Sequence, residues 1–364
     1  MGERVLSAGV IGLGAMGINH ARVYSEMEGV ELVAAVDPSP ERRRLAARPP
    51  LVSSLRTYAD YREMLACERL DLVSVAVPTG LHREVALACL ERRVATLIEK
   101  PIAADLEEGR AILGAAEETG TPLMVGHVER FNPAMRELKR RLDGGELGRV
   151  FLARAERVGP FPQRTRDVGV VQDLATHDID IMRFLLASDV ERVYAETEAG
   201  LRTEHEDLLS AVMRFRNGVV GLLEVNWLTP TKVRRLTLVG ERGMFVADYL
   251  TQELLFYERE SAEAVCLPGQ GPGLAAPTGG EAAMTRIPVE KQEPLRAELE
   301  AFVGSVARGL PSPVPPGDAL AAVEVAVRLV ESGRTGRVVQ VGAQPIGRHP
   351  DGRPSGQRPV GSEG

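Results

Sequence analysis

The chain has 364 residues, 44% of them hydrophobic and 26% charged, which permits a sizeable core and, at about 150 residues per domain, two domains. A formal charge of −7 and a pI near 5.6 exclude the basic face that nucleic-acid binding requires, while leaving room for an anionic small molecule held by a few local arginines. No run approaches the roughly 18 apolar residues of a membrane helix and no signal-peptide pattern opens the chain, so a soluble cytoplasmic protein with no membrane partner is expected.

The first third alternates in type. Apolar runs at Val5 to Ile11, Val30 to Val36, Leu72 to Val77, Val94 to Ile98 and Pro122 to Gly126 are separated by helix-length stretches, among them Ala15 to Met27, Leu81 to Arg92 and Asp105 to Glu118. Unbroken apolar runs suit strands buried on both faces, and parallel strands need helical crossovers. The pattern predicts a doubly wound parallel sheet of Rossmann type over residues 1–128.

After about Asn132 the texture changes. A helix is predicted from Ala134 to Leu142. Then strands follow without helices between them, with hairpin signals at Arg216-Asn217-Gly218 and Glu241-Arg242-Gly243. Two late helices, Glu293 to Arg308 and Asp318 to Ser332, flank a proline-rich stretch. Residues 129–341 therefore read as a C-terminal α/β domain with a mostly antiparallel sheet. Gly269 to Gly280 reads as a loop, and 342–364 as a disordered tail.

Gly12-Leu13-Gly14-Ala15-Met16-Gly17 follows the first strand and opens a helix, and Asp37 ends the second strand. In that context the glycines allow a tight turn, close approach of backbone N–H groups to a pyrophosphate, and close packing of helix on strand. The helix N-terminus faces the anion. Asp37 points to NAD, because a carboxylate accepts the adenosine ribose hydroxyls and repels a 2′-phosphate. Arg42, Arg43 and Arg44 lie within reach of such a phosphate and keep NADP open as the lesser alternative.

Glu99-Lys100-Pro101 follows the strand Val94 to Ile98, at the sheet edge where ligands bind in open α/β folds. Asp173 and His177 open a predicted helix four residues apart, on one face, where a carboxylate can orient an imidazole and tune its pKa for proton transfer; taken as an isolated pair, an ordinary helix-start Asp beside a satisfied His is the favoured alternative. Asp178 and Asp180 read as solvated or capping residues. No third ligand completes a metal set around Asp173 and His177, and Cys67, Cys89 and Cys266 are too few and too scattered to supply one or a disulfide framework.

These motifs, together with Val77-Pro78 and His82, resemble the glucose–fructose oxidoreductase/inositol dehydrogenase (Gfo/Idh/MocA) family, over nearly everything up to about Val341. The resemblance implies a Rossmann domain followed by an α/β domain whose large open sheet mediates homodimers or homotetramers. It implies NAD held by Gly12, Gly14, Ala15, Met16, Gly17, Asp37, Pro78, His82, Glu99 and Lys100, and catalysis by Lys100, Asp173 and His177. Val125 to Pro133, Asp173 to Asp180 and Glu224 to Lys232 are similar to the branch that oxidises the C3 hydroxyl of sugar nucleotides such as UDP-N-acetylglucosamine. On that reading His177 or Lys100 takes the hydroxyl proton, the carbon-bound hydrogen leaves as hydride, and Lys100 stabilises the alkoxide.

A UDP-sugar needs positive charge for its pyrophosphate. Arg164 and Arg166, in the loop before the catalytic helix, are candidates, with solvated loop charges as the alternative. Arg130 and Asn132 follow a strand end and are candidates too, against a salt bridge and a helix cap. Trp227 either lines the sugar or packs the sheet, and His127 reads as structural. A free-polyol dehydrogenase, an NADPH-dependent ketoreductase and a cofactor-sensing regulator remain as rival readings, the last disfavoured by the presence of both Lys100 and His177.

Overall fold

The computed structural model describes residues 4–47, 55–161, 168–200, 204–259 and 283–342. The predicted loop at Gly269 to Gly280, Cys266 and residues 343–364 of the predicted tail lie outside them.

The first layer runs β1 (Leu6–Ile11), α1 (Ala15–Glu26), β2 (Val30–Val36), α2 (Pro40–Ala46), β3 (Arg56–Tyr58), α3 (Tyr61–Cys67), β4 (Leu72–Val75), α4 (His82–Glu91), β5 (Ala95–Glu99), α5 (Leu106–Thr119) and β6 (Leu123–Gly126). Its six strands are all parallel, in the order β3-β2-β1-β4-β5-β6. The order reverses direction between β1 and β4, so the glycine loop after β1 opens at the crevice where dinucleotides bind in such sheets. The central runs are buried throughout: all four residues of β4 and all five of β5 are buried.

The second layer runs α6 (Pro133–Asp143), β7 (Val150–Pro160), α7 (Thr176–Leu186), β8 (Val190–Ala199), β9 (Glu206–Phe215), β10 (Val220–Asn226), β11 (Leu228–Gly240), β12 (Gly243–Asp248), β13 (Glu253–Glu258), β14 (Met284–Ile287), α8 (Pro294–Arg308), α9 (Pro316–Thr335) and β15 (Val339–Gln340). Nine strands form one sheet in the order β14-β13-β12-β11-β7-β10-β9-β8-β15. Among the described residues of this sheet, only β7 and β10 pair in parallel. Both hairpin signals hold. β9 and β10 pair across Asn217-Gly218, where Gly218 takes φ +88°, and β11 and β12 pair across Glu241 to Gly243.

One face of this sheet is covered. Val193, Ala195, Met213, Leu223, Leu236 and Phe245 meet Ile179, Met182, Ala322 and Leu329 of α7 and α9 in a single apolar cluster. The late helices also reach the first layer. Leu295, Leu299 and Phe302 of α8 join the core under α1, and Ala319 and Val323 of α9 join the core under β4 and α4.

Helix α8 carries an anomaly into that core. Glu298 is fully buried and neither of its carboxyl oxygens has a hydrogen-bond partner among the described residues. Burial first, then the nearby Glu99 and Glu129, push its carboxyl well above the usual range. A folded-state pKa raised above 4.5 means that the stability tied to the neutral carboxyl is fully present below that value and is lost as pH rises through the folded pKa. Glu298→Met removes the titration and the unpartnered group at similar volume. It should stabilise the protein by about 1–3 kcal/mol, with the gap to the unsubstituted protein widening from pH 6 to pH 9 in urea unfolding. A gap that stays level or narrows contradicts this account.

Candidate functional site

The glycine loop has the shape a pyrophosphate needs. Gly12 takes φ +94°, and a Cβ there would stand 2.5 Å from the Ala76 carbonyl oxygen; one on Gly17 would stand 1.7 Å from the Gly12 oxygen. Both positions therefore exclude side chains. Gly14 differs: nothing lies within 4 Å of where its Cβ would be. It is also the N-cap of α1 and offers no side-chain cap, so the first-turn N–H groups face open space beside Ala15 and Met16. The residues fit a dinucleotide phosphate.

Asp37 is tied to this loop. Its carboxylate accepts the Leu13 N–H at 2.9 Å and the Ser39 N–H at 2.8 Å. Arg42 lies 3.4 Å from the same carboxylate, and Arg43 donates to the carbonyls of Asp37 and Pro38 at 2.6 and 3.0 Å. These two arginines are thus engaged at Asp37, where the sequence alone left them open for a 2′-phosphate.

His82 and Glu99, both expected at the cofactor, are buried and bonded within the fold. His82 is buried, with Nδ1 2.9 Å from the Pro101 carbonyl and Nε2 3.0 Å from that of Val77. It bridges the chain ends after β4 and β5, beside Pro78 and the cis Lys100–Pro101 bond, and presents no free nitrogen to a ligand. Glu99 is buried and meets His20 Nε2 at 2.7 Å; the other ring nitrogen of His20 meets Ser74, which also contacts Tyr24. Burial alone would raise the Glu99 carboxyl, but the hydrogen bond to His20 and the charges of His20 and Lys100 hold it below the usual range.

The structure brings Lys100, Asp173 and His177 together, with one correction to their roles. Lys100 Nζ donates to the Asp173 backbone oxygen at 2.7 Å and to its carboxylate at 3.2 Å. Asp173 therefore pairs with the lysine, and Nδ1 of His177 is buried without a hydrogen-bond partner among the described residues. The reason is local. Residues Val171–Ala175 form a π-helical turn before α7, so the four-residue spacing no longer stacks the two side chains as in an α-helix. Two of the three Nζ donors are used, leaving one for a ligand. Burial first, then the charges of Lys100, Arg157, His127 and Arg234, pull the His177 imidazole well below its ordinary value of 6.5, so it is neutral at pH 7.

Asp178 and Asp180 overturn the expectation of solvated residues: both are fully buried. Arg157 on β7 pairs with Asp178 and, through Nη1 at 3.0 Å, with Glu129, and its guanidinium stacks over Tyr249. Arg130 is not free for a substrate. It grips Asp180 with two bonds of 2.7 and 2.6 Å and reaches Asp318 at 2.9 Å. His127 is buried 3.4 Å from Asp180, and burial pulls its pKa below the usual value.

Asn132 also works within the fold. Its side-chain oxygen caps α6 by accepting the Ala134 N–H at 3.1 Å, and its amide donates to the Tyr249 carbonyl at 3.1 Å. Trp227 is a core residue, packed edge-on against Phe161 at 5.4 Å between ring centres. Arg164 and Arg166 lie outside the described residues. Among the described residues no group of three His, Cys, Asp or Glu is arranged to hold a metal ion, and no helix is long and apolar enough to cross a membrane.

Sequence reasoning missed Arg157 and Arg234, the two arginines whose charges act on His177. The only trace in the sequence is one arginine in each of two long strands, which is no signal without the strand register that pairs them.

Comparison with known proteins agrees with this geometry. Residues 6–127 match the profile "Oxidoreductase family, NAD-binding Rossmann fold", and residues 135–246 match "GFO/IDH/MocA C-terminal domain". A UDP-N-acetylglucosamine 3-dehydrogenase of Acidithiobacillus ferrooxidans is 30% identical over 84% of this chain and 90% of its own. Its crystal structure superposes with a TM-score of 0.77 over 91% of this chain and 98% of that one, at 27% identity. A scyllo-inositol 2-dehydrogenase (NAD(+)) of Bacillus subtilis is 26% identical over 93% of this chain and 97% of its own. The chain belongs to the Gfo/Idh/MocA family of oxidoreductases and carries that family's NAD-binding Rossmann fold.

Proposed function

We propose that this enzyme oxidises the C3 hydroxyl of a UDP-sugar, with UDP-N-acetylglucosamine as first candidate, to the 3-keto sugar. The observation that carries the reading is the 30% identity to a UDP-N-acetylglucosamine 3-dehydrogenase over 84% of the chain. The inositol dehydrogenases of similar identity match over only about half to two thirds of it. On this reading residues 1–128 hold the nucleotide and 129–341 the sugar.

NAD, when bound, supplies the hydride acceptor. The reacting hydroxyl lies between Lys100 and His177. Neutral His177 accepts the hydroxyl proton. The remaining Nζ donor of Lys100 hydrogen-bonds the same oxygen and stabilises the charge that develops there as the carbon-bound hydrogen leaves. Asp173 holds Lys100 in place through its carboxylate and its backbone carbonyl. Asp37 is proposed to accept the adenosine ribose hydroxyls on its remaining lone pairs. The uncovered face of the nine-stranded sheet, where Tyr194 pairs with Val212 and Val212 with Leu222, supports a homodimer or homotetramer.

Mixing the purified protein with NAD and UDP-N-acetylglucosamine, with a carbonyl trap to draw off the ketone, should produce NADH and a product whose NMR spectrum places the carbonyl at C3. NADP, free N-acetylglucosamine and myo-inositol run beside it. Turnover of inositol in place of the UDP-sugar would move the protein to the polyol dehydrogenases. A base must be unprotonated to act, and His177 is held well below 6.5, so kcat/KM should stay level as pH falls through 6.5 and decline only below it. A midpoint at or above 6.5 would remove His177 from the role.

A further inference from the structure

Strand β11 brings a second arginine to the site. Arg234 faces Arg157 across the β7–β11 ladder, so their side chains share one face of the sheet. Arg157 uses that face to reach Asp178 on α7. Arg234 therefore sits on the face covered by α7, within electrostatic reach of His177.

The two arginines differ in their partners. Arg157 is fully engaged by Asp178 and Glu129. Arg234 has no carboxylate within ion-pair distance among the described residues. Among the described residues only its Nη1 is bonded, to the carbonyls of Val158 at 2.6 Å and Val233 at 2.7 Å. Those two bonds orient the guanidinium plane and leave the Nε–Nη2 edge without a partner among the described residues. The nearby carboxylates are committed elsewhere: Asp173 to Lys100, and Asp178 and Glu129 to Arg157.

A half-buried cation with no counter-ion is costly to keep. Its burial and the adjacent Arg157 pull its pKa below the ordinary value of 12.5. An arginine remains protonated under such pressure, so the cost stands until an anion arrives. Its free edge presents two parallel N–H groups, the geometry that matches two oxygens of one phosphate or carboxylate.

We propose that Arg234 is the anchor for an anionic group of the substrate, gripping a phosphate or carboxylate through its Nε–Nη2 edge and so selecting charged sugars over neutral ones. The inference deepens the sugar-nucleotide reading and rests on it for the nature of the substrate. It assigns the charge recognition to a strand residue held by backbone carbonyls.

The test is calorimetric binding to the NADH-loaded enzyme. The probes are UDP, which carries the phosphates without a sugar, and D-glucuronate, which carries a sugar carboxylate without a phosphate. Arg234→Gln should bind NADH as the unsubstituted protein does, and should bind UDP about tenfold to a hundredfold more weakly, the range for hydrogen bonds to a charged group. Arg234→Lys should recover only part of the affinity, since it restores charge without the planar fork. Loss of glucuronate binding in place of UDP binding would identify a carboxylate as the partner and keep the anchor. Unchanged binding of both probes in Arg234→Gln, or binding of neither by the unsubstituted holoenzyme, would overturn it.

Should Arg234→Gln not fold, a UDP titration of the unsubstituted holoenzyme decides. An anion seated on Arg234 offsets the charge that depresses His177, so the imidazole NMR titration moves to higher pH; no movement refutes the contact. Because these are binding measurements, failure of UDP-N-acetylglucosamine turnover would remove the proposed reaction without removing the anchor. Turnover that Arg234→Gln leaves untouched would do the reverse.

Discussion

Lys100→Met is expected to lower kcat by about 10²–10³-fold, the range for losing one donor to a developing oxyanion, while NAD binding persists. The substitution keeps an unbranched apolar stem but loses three functions at once. It no longer donates to the reacting oxygen. It no longer ties to the Asp173 carbonyl and carboxylate, which it meets at 2.7 and 3.2 Å. And it no longer places a positive charge beside His177, whose pKa should therefore move up toward its ordinary value. The acid limb of the residual activity should shift to higher pH, a signature that simple misfolding would not give.

His177→Asn should cost a similar factor, and the double variant little more than either single one, because the two groups act on one hydroxyl as a unit. Steady-state kinetics on the substrate that the unsubstituted enzyme turns over, with NAD titrated by fluorescence, checks all three proteins. Retention of more than a tenth of kcat by Lys100→Met would remove the lysine from the reacting atoms. Additive losses in the double variant would separate the two residues into independent roles.

The part of this site that was legible in the sequence is the part encoded locally. A glycine loop declares itself because its residues touch one another: Gly17 is required by the Gly12 carbonyl five positions away. Lys100 is placed by the apolar run before it, at the carboxyl end of β5. The continuous runs of β4 and β5 show themselves because both of their faces are buried.

What failed was non-local or weakly patterned. Arg157 finds Asp178 from 21 residues away and Arg130 finds Asp318 from 188, and no spacing rule links them. Asp178 and Asp180 look solvated because charged residues near a helix start usually are; here two buried arginines draw them inward. The expected Asp173–His177 stack assumed α-helical spacing through residues that form a π turn. Helices α2 and α3, at seven residues each, are too short to show a period, and β8 alternates with a partly exposed face that carries charge.

Asp180→Ala should be the most destabilising of the charge removals, by about 3–5 kcal/mol, the range for breaking one side of a buried ion pair. Asp180 holds Arg130 with two short bonds, and His127 stands 3.4 Å away. Both groups are buried, so removal of the carboxylate strands one cation and withdraws the negative charge facing the imidazole. Asp318 remains on Arg130 at 2.9 Å, but its side chain is about a third exposed and it also reaches Arg183, so it compensates only in part. The cost should not fall on stability alone. Arg130 lies in the turn that leaves β6, Asp180 lies one helical turn after His177 on α7, and Asp318 is in the first turn of α9. The cluster thus fixes the helix carrying the proposed base against the sheet carrying the nucleotide loop, and a folded Asp180→Ala protein should also lose kcat. Replacing both partners separates charge from packing. Arg130→Met with Asp180→Leu leaves no stranded charge, and Asp318 can turn to solvent, so urea unfolding should recover most of the lost stability. If the double variant is as unstable as the single one, the contribution of this cluster lies in shape and not in the pairing of its charges.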